Sequence, residues 1–273
     1  MAEQTGTGTD VVGGTTDDET AITAAVARTA AADTLLVALD FDGTLAPFAD
    51  DPGQVGALPG SWAAVLTLDR ARDTHVVLVS GRSLESLERV TQAPPSMSLV
   101  GSHGVEWRVD GQPSEALSDD ERAAVDAVGA ILDEVGARHP GVVIEHKPAG
   151  HGVHTRRVSA DAARAADDDA RASVSAAHPD VHVRAGKDIL EFSIRHVTKG
   201  DAISRLRTIL QADAVVFAGD DTTDEDGFAV LDQDAADLGV KVGPGDTAAR
   251  YRVEDPAGLT DVLKALARLR ATR

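Results

Sequence analysis

The chain has 273 residues, 42 % of them hydrophobic, which suits one large domain or a core with an insert and excludes global disorder. Its 45 acidic and 26 basic side chains give a formal charge of -19, which argues against nucleic acid or an anionic membrane as partner. The complete lack of cysteine excludes disulfides, thiolate metal sites and cysteine nucleophiles, and the absence of an apolar leader points to the cytoplasm.

Residues 1–32 read as an N-terminal tail: the first 20 are rich in Gly, Thr and Asp, and 20–32 suit a short Ala-rich helix. Next comes Leu35-Leu36-Val37-Ala38-Leu39, a continuous apolar run of the kind found in buried parallel strands. Similar runs recur at 75–79, 98–100, 214–218 and 238–242. Helical spacing separates several of them, through Leu84, Leu87 and Val90, then Ile203, Leu206 and Leu210, then Leu259, Val262, Leu266 and Leu269. This alternation predicts an α/β core, a doubly wound and mostly parallel Rossmann-like sheet, formed by 33–105 and 195–273.

The middle of the chain breaks the rhythm. Asp110-Gly111 is a hairpin-type turn signal, and Val125, Val128, Leu132 and Val135 mark a helix. A strand-like 142–146, a polar stretch to Arg157, a helix over 161–177 and alternating segments at 181–184 and 189–194 follow. These predict a smaller α+β cap domain inserted at 106–194, with hinges near Glu106 and between Ile194 and Lys199. Trp107 and Phe192 are expected to pack the insert's core, and His151 and His154 to lie in a polar loop rather than form a metal pair.

Four clusters carry chemistry. Asp40-Phe41-Asp42-Gly43-Thr44 follows the first strand directly, and ligands of such sheets bind at strand carboxyl ends. Two acids this close repel, so a cation or a partner charge is needed. A calcium loop is excluded because its sixth position, counted from Asp40, is Leu45 rather than Gly. Ser80-Gly81-Arg82 supplies a hydroxyl at a helix start, and Lys199-Gly200 opens another helix. The last cluster, Gly219-Asp220-Asp221-Thr222-Thr223-Asp224-Glu225-Asp226, concentrates five acids whose oxygens suit a hard ion such as Mg²⁺.

In this order and at these strand ends, the clusters resemble the haloacid dehalogenase-like phosphatases, from about Leu35 onward. The resemblance implies Asp40 as the nucleophile that forms an aspartyl-phosphate and Asp42 as general acid/base. It assigns Ser80 and Lys199 to the phosphoryl oxygens. Around Mg²⁺ it places Asp40, the main-chain carbonyl of Asp42 and Asp220, with Asp221 and Asp224 in support. Within the superfamily, "DFDGTLAP", "GDDTTDEDGF" and the insert's segments Glu145-His146-Lys147, His154-Thr155-Arg156 and Gly186-Lys187 look like trehalose-6-phosphate phosphatases. That likeness makes Arg82, Glu106, Lys147, Lys187 and Glu191 the substrate-binding candidates, since hydroxyl-rich sugars suit Glu and Lys. It implies hydrolysis of trehalose 6-phosphate, with phosphatases of other sugar or compatible-solute phosphates, or a sugar phosphomutase, as alternatives.

The chain departs from the pattern at Thr155, where an aromatic residue is expected, and in lacking a Pro between Glu191 and Lys199. No synthase-like domain is fused to it, so a separate synthase is expected to supply substrate. Oligomeric state is left open, with a monomer as the working expectation. The Asp-heavy, Lys-poor charge suits concentrated salt or biased codon usage, and composition leaves both standing.

Overall fold

Continuous apolar runs make stable strands only when both faces of their sheet are covered. The computed structural model, which describes residues 15–49, 53–109, 112–113, 117–186 and 188–273, covers both. In chain order, α1 (Thr15–Ala30) leads into β1 (Leu35–Leu39), α2 (Pro59–Asp69), β2 (Thr74–Val79), α3 (Leu84–Thr91) and β3 (Ser98–Gly101). A 3-10 turn at Ser102–Gly104 precedes β4 (Glu106–Val109) and β5 (Gln112–Pro113). Then come α4 (Asp119–Arg138), β6 (Val143–Lys147), β7 (Gly150–His154), α5 (Ala160–Ala177), β8 (His182–Gly186) and β9 (Ile189–Ser193). The last elements are α6 (Lys199–Ile209), β10 (Ala214–Gly219), α7 (Glu225–Ala229), β11 (Leu238–Val242), β12 (Tyr251–Val253) and α8 (Pro256–Arg270).

The large sheet has the order β12-β11-β10-β1-β2-β3-β4-β5. Its first six strands are parallel, and β4 and β5 are antiparallel additions. Strand pleat splits β1 between two cores. Leu35, Val37 and Leu39 pack with α2 and α8 residues such as Val65, Leu68, Leu263 and Leu266. Leu36 and Ala38 face Ile203, Leu206 and Phe228 on the other side. This is the expected doubly wound α/β core. Because β1 is flanked by β2 on one side and β10 on the other, the winding reverses there, and a crevice opens at their carboxyl ends.

The second sheet, β6-β7-β9-β8, is antiparallel and packs Val153, Leu190 and Phe192 against Val128, Leu132 and Val135 of α4 and Ala170 and Val174 of α5. Phe192 therefore sits in this small core as expected. Trp107 does not: it belongs to the large sheet's core, with its indole N–H donating to the Gly104 carbonyl. Glu106 likewise pairs with Gly101 in the large sheet, so the boundary expected at 106 falls inside a hairpin of the core. The Asp110-Gly111 turn lies outside the described residues, as do residues 1–14. From Thr15 the presumed tail is helical, and Ala25, Val26 and Ala30 are buried in the core.

One strand has no signal of its own. The polar stretch before Arg157 contains β7, a central strand hydrogen-bonded on both edges to β6 and β9. Gly150 is required there by crowding, because a Cβ would stand 2.1 Å from the Phe192 carbonyl oxygen. His151 and His154 point to different partners: the Val125 carbonyl and His146 for the first, Glu145 for the second. Both lie on β7 rather than in the expected polar loop, because β6 and β9 pair with it on either edge. Among the described residues, no helix is long and apolar enough to cross a membrane.

At the opposite end of the strands, Arg270 is 2 % exposed and closes the base of the core. Its guanidinium donates to the carbonyls of Ala30, Ala32, Arg72 and Asp73 and to the Thr74 hydroxyl, at 2.6 to 3.2 Å. A lysine cannot serve that many acceptors. Arg270→Lys is expected to lower stability by about 2–3 kcal/mol, and the melting midpoint by roughly 5–10 °C, with kcat unchanged. Calorimetry beside a steady-state assay checks it.

Candidate active site

The end of β1 places Asp40 beside the end of β10, and the two loops interlock. Asp40 is 4 % exposed, and its amide donates to the Ala218 carbonyl at 3.0 Å. The Lys199 ammonium, at the start of α6, donates to Asp40 Oδ1 at 2.8 Å and to Asp224 Oδ1 at 2.6 Å. Thr44 donates to Asp40 Oδ2 at 2.9 Å and reaches Asp220 at 3.2 Å. Asp224 Oδ2 accepts the amides of Asp220 and Asp221, at 3.0 and 2.9 Å. Gly43, with φ +80°, makes this interlock geometrically feasible, because a Cβ there would stand 2.2 Å from Asp220 Oδ2.

Carboxylate oxygens of Asp40, Asp220 and Asp224 lie within 4.8 Å of one another. Lys199 offsets one of their charges and leaves two uncompensated in a buried setting. Burial, with the Asp224 and Asp220 charges, pushes the Asp40 carboxyl well up, against the pull of Lys199. Burial and Asp224 push Asp220 up to about 6. Such an all-oxygen donor set fits a hard divalent cation, which would displace the protons that otherwise relieve the repulsion.

The sign follows from linkage. Between its ordinary value and about 6, folded Asp220 holds more proton than the unfolded chain does, so this group stabilises at low pH and ceases to as pH rises past 6. Mg²⁺ should therefore raise the melting midpoint more at pH 7.5 than at pH 5, and its binding should release protons. Calorimetric titration in buffers of different ionisation heat checks both; equal stabilisation at the two pH values would contradict the assignment.

The other expected residues divide. Ser80 is buried, with its hydroxyl accepting the Arg82 amide at 3.2 Å. Asp42 turns its carboxylate away from the acid cluster into a two-point pair with Arg82, both bonds 2.6 Å. Asp221 is not in the cluster: its Oδ1 is engaged by the Thr222 amide, capping the 3-10 turn that carries Asp224 inward. Asp40, Asp42, Ser80, Arg82 and Lys199 line one large cleft, and from the second sheet Lys147 and Glu191 line it too. Glu106 does not. Its buried carboxylate accepts from the Ser102 hydroxyl at 2.5 Å and from the Leu84 amide, holding the start of α3, and burial pushes it up. Lys187 lies outside the described residues.

Three further residues lie here that the candidate set did not include, Glu145 among them although its segment carries the family likeness. Lys241 is buried and donates to the Asp220 carbonyl at 2.6 Å, placing a second ammonium under the acid loop. Glu145, which accepts from His154, and His103 both line the cleft. Lysine scarcity was the available signal, since three of the four described lysines belong to this cleft or its floor.

The family model described as Trehalose-phosphatase matches residues 38–257. The chain belongs to the trehalose-phosphatase family. It is 31 % identical to the trehalose-6-phosphate phosphatase of Escherichia coli K12, covering 82 % of both chains. It is 32 % identical to the trehalose-phosphate phosphatase of Mycobacterium avium, over 85 % of this chain and 61 % of that one. A bifunctional trehalose-6-phosphate synthase/phosphatase of Thermoproteus tenax is 33 % identical, and there the match spans 32 % of the relative's length. Among solved structures, the C-terminal domain of the Candida albicans trehalose-6-phosphate phosphatase superposes with a TM-score of 0.77 at 22 % identity, over 90 % of this chain and 96 % of that one. The haloacid dehalogenase-like resemblance drawn from the four clusters stands, and with it the fold of this family of phosphatases.

Proposed function

We propose that the protein is a Mg²⁺-dependent phosphatase that hydrolyses trehalose 6-phosphate to trehalose and phosphate through an aspartyl-phosphate on Asp40. The observation that carries this reading is the shared cleft: Asp40 and Lys199 form its floor, and Lys147 and Glu191 of the second sheet form its wall. An Asp40 oxygen attacks phosphorus, the phosphorus–sugar oxygen bond breaks, and Asp42 gives its proton to the departing oxygen. Asp42 then takes a proton from water as that water attacks phosphorus, the Asp40–phosphorus bond breaks, and phosphate leaves.

Ser80 and Lys199 hold the phosphoryl oxygens. Arg82 must release Asp42 for the proton transfer, and the incoming phosphate offers its guanidinium a competing partner. Asp40, Asp220, Asp224 and the Asp42 main-chain carbonyl would hold Mg²⁺, which when bound supplies neutralisation of charge at the phosphoryl group. Asp221 supports the ion indirectly, through the turn that aims Asp224. The substrate comes from a synthase reaction outside this chain's own folded core.

Phosphate release from trehalose 6-phosphate, sucrose 6-phosphate and the phosphates of glucosylglycerol and mannosylglycerate, with Mg²⁺ or EDTA, tests the proposal. Preferential, Mg²⁺-dependent turnover of trehalose 6-phosphate is expected. Equal or better turnover of another ester would refute the substrate, and isomer formation seen by ³¹P NMR would indicate a phosphomutase.

A further inference from the structure

We propose that His103 is a positioning residue that fixes Glu191 relative to the phosphate loop, so that cap contact and sugar recognition are set together. The inference rests on the reading of Glu191 as a sugar ligand. Its basis is a chain of contacts that crosses from the large sheet to the small one. Ser102 and His103 follow β3, and their amides donate to the Arg82 and Ser80 carbonyls at 2.7 and 3.0 Å. The imidazole lies over Gly81, where an added Cβ would stand 2.6 Å from Cε1 and Nε2. His103 is therefore referenced to the Ser80-Gly81-Arg82 loop by main chain and by ring.

From that base the ring reaches the other sheet. The His103 Nε2–H donates to Glu191 Oε2 at 2.8 Å. Lys147 takes the other oxygen, Oε1, at 2.5 Å, and also donates to the Gly81 carbonyl at 3.2 Å. Both oxygens of Glu191 are thus fixed, and both fixing groups trace back to Gly81. Burial opposes ionisation of Glu191, but His103 and Lys147 together hold its carboxyl well below the usual range.

Two costs at His103 argue that this arrangement is not ordinary packing. Ser102 and His103 both adopt left-handed backbone, with φ +47° and +56°, which non-glycine residues rarely do. His103 Nδ1 is buried with no hydrogen-bond partner. With the proton on Nε2 for Glu191, burial favours the neutral ring, and Nδ1 is left as an unpaired acceptor. A residue serving only to fill space would incur neither cost. The contact chain sets the separation between the phosphoryl site and the carboxylate that grips the sugar, and that separation selects among sugar phosphates.

The test is steady-state kinetics of the full chain with trehalose 6-phosphate and with p-nitrophenyl phosphate, which has no sugar. His103→Ala should raise KM for the sugar ester about tenfold or more, a factor clearly larger than its effect on the nitrophenyl ester. His103→Gln, whose side-chain amide can donate near the Nε2 position, should recover most of the loss. In Glu191→Gln the further effect of His103→Ala should shrink to about twofold. An unchanged KM in His103→Ala, or an equal loss on both esters, would overturn the proposal, as would glutamine behaving like alanine. If the wild type prefers another sugar ester, the substrate reading fails, while the His103 effect is measured on that ester instead.

Discussion

Asp40→Asn is expected to leave a folded protein that releases phosphate at least about 10⁴-fold more slowly, because the amide cannot form the acyl phosphate. The same substitution separates chemistry from stability. Asp40 lies among Asp220 and Asp224, and burial and those charges already drive it toward its neutral form. A neutral side chain of the same shape should therefore keep or raise the melting midpoint in EDTA, while the stabilisation gained from Mg²⁺ falls. Activity and calorimetry on one preparation check both parts. Substantial turnover in Asp40→Asn would contradict the covalent route.

Lys199→Met is expected to have the largest effect on stability. Lys199 is 2 % exposed and is the ammonium bonded to both Asp40 and Asp224. Removing it leaves the two buried carboxylates of Asp40 and Asp224 without their shared partner, a change of about 3–5 kcal/mol in the metal-free protein. The loss should be smaller at pH 5 than at pH 8, since protons replace the missing charge when Asp40 and Asp220 have raised affinities for them. Turnover should also fall by about 10²–10³-fold, as expected for removal of a fixed positive group from the phosphoryl site. Urea unfolding at the two pH values, in EDTA, checks the stability part; a loss independent of pH would contradict it.

The core and its chemistry were legible because the signals are local. Each parallel strand beside the cleft announces itself as an apolar run, and a candidate site residue follows directly after it, as Asp40 follows Leu39 and Asp220 follows Gly219. What stayed hidden depends on neighbours distant in the chain. Strand β7 has two glycines and two histidines in five residues, and only its two flanking strands make it extended. Glu106 looked like a sugar ligand beside the cap, yet hairpin pairing with β3 turns it toward Ser102 and Leu84.

The acid loop shows the same division. The resemblance sets Asp221 and Asp224 together as supports of Asp220, and no spacing rule separates those two. The 3-10 turn does so: it buries Asp224 completely and spends Asp221 on a cap. His103 was not among the candidate residues because its contact with Glu191 spans 88 residues of chain. The large negative charge, which first spoke against anionic partners, is offset in part by Lys199, Lys241 and Arg82 around the acid cluster, and a divalent cation held there would offset more. An anionic phosphate ester is thus compatible with a chain of charge -19.

The most direct measurement is chemical trapping at Asp40. The protein is mixed with trehalose 6-phosphate and Mg²⁺, quenched during turnover, reduced with borohydride and digested for peptide mass spectrometry. An acyl phosphate at Asp40 is reduced to homoserine, so homoserine at position 40, and its absence without substrate, is the predicted result. Full turnover with Asp40 always recovered as unmodified aspartate, or homoserine found at Asp42 or Asp220 instead, would contradict the account.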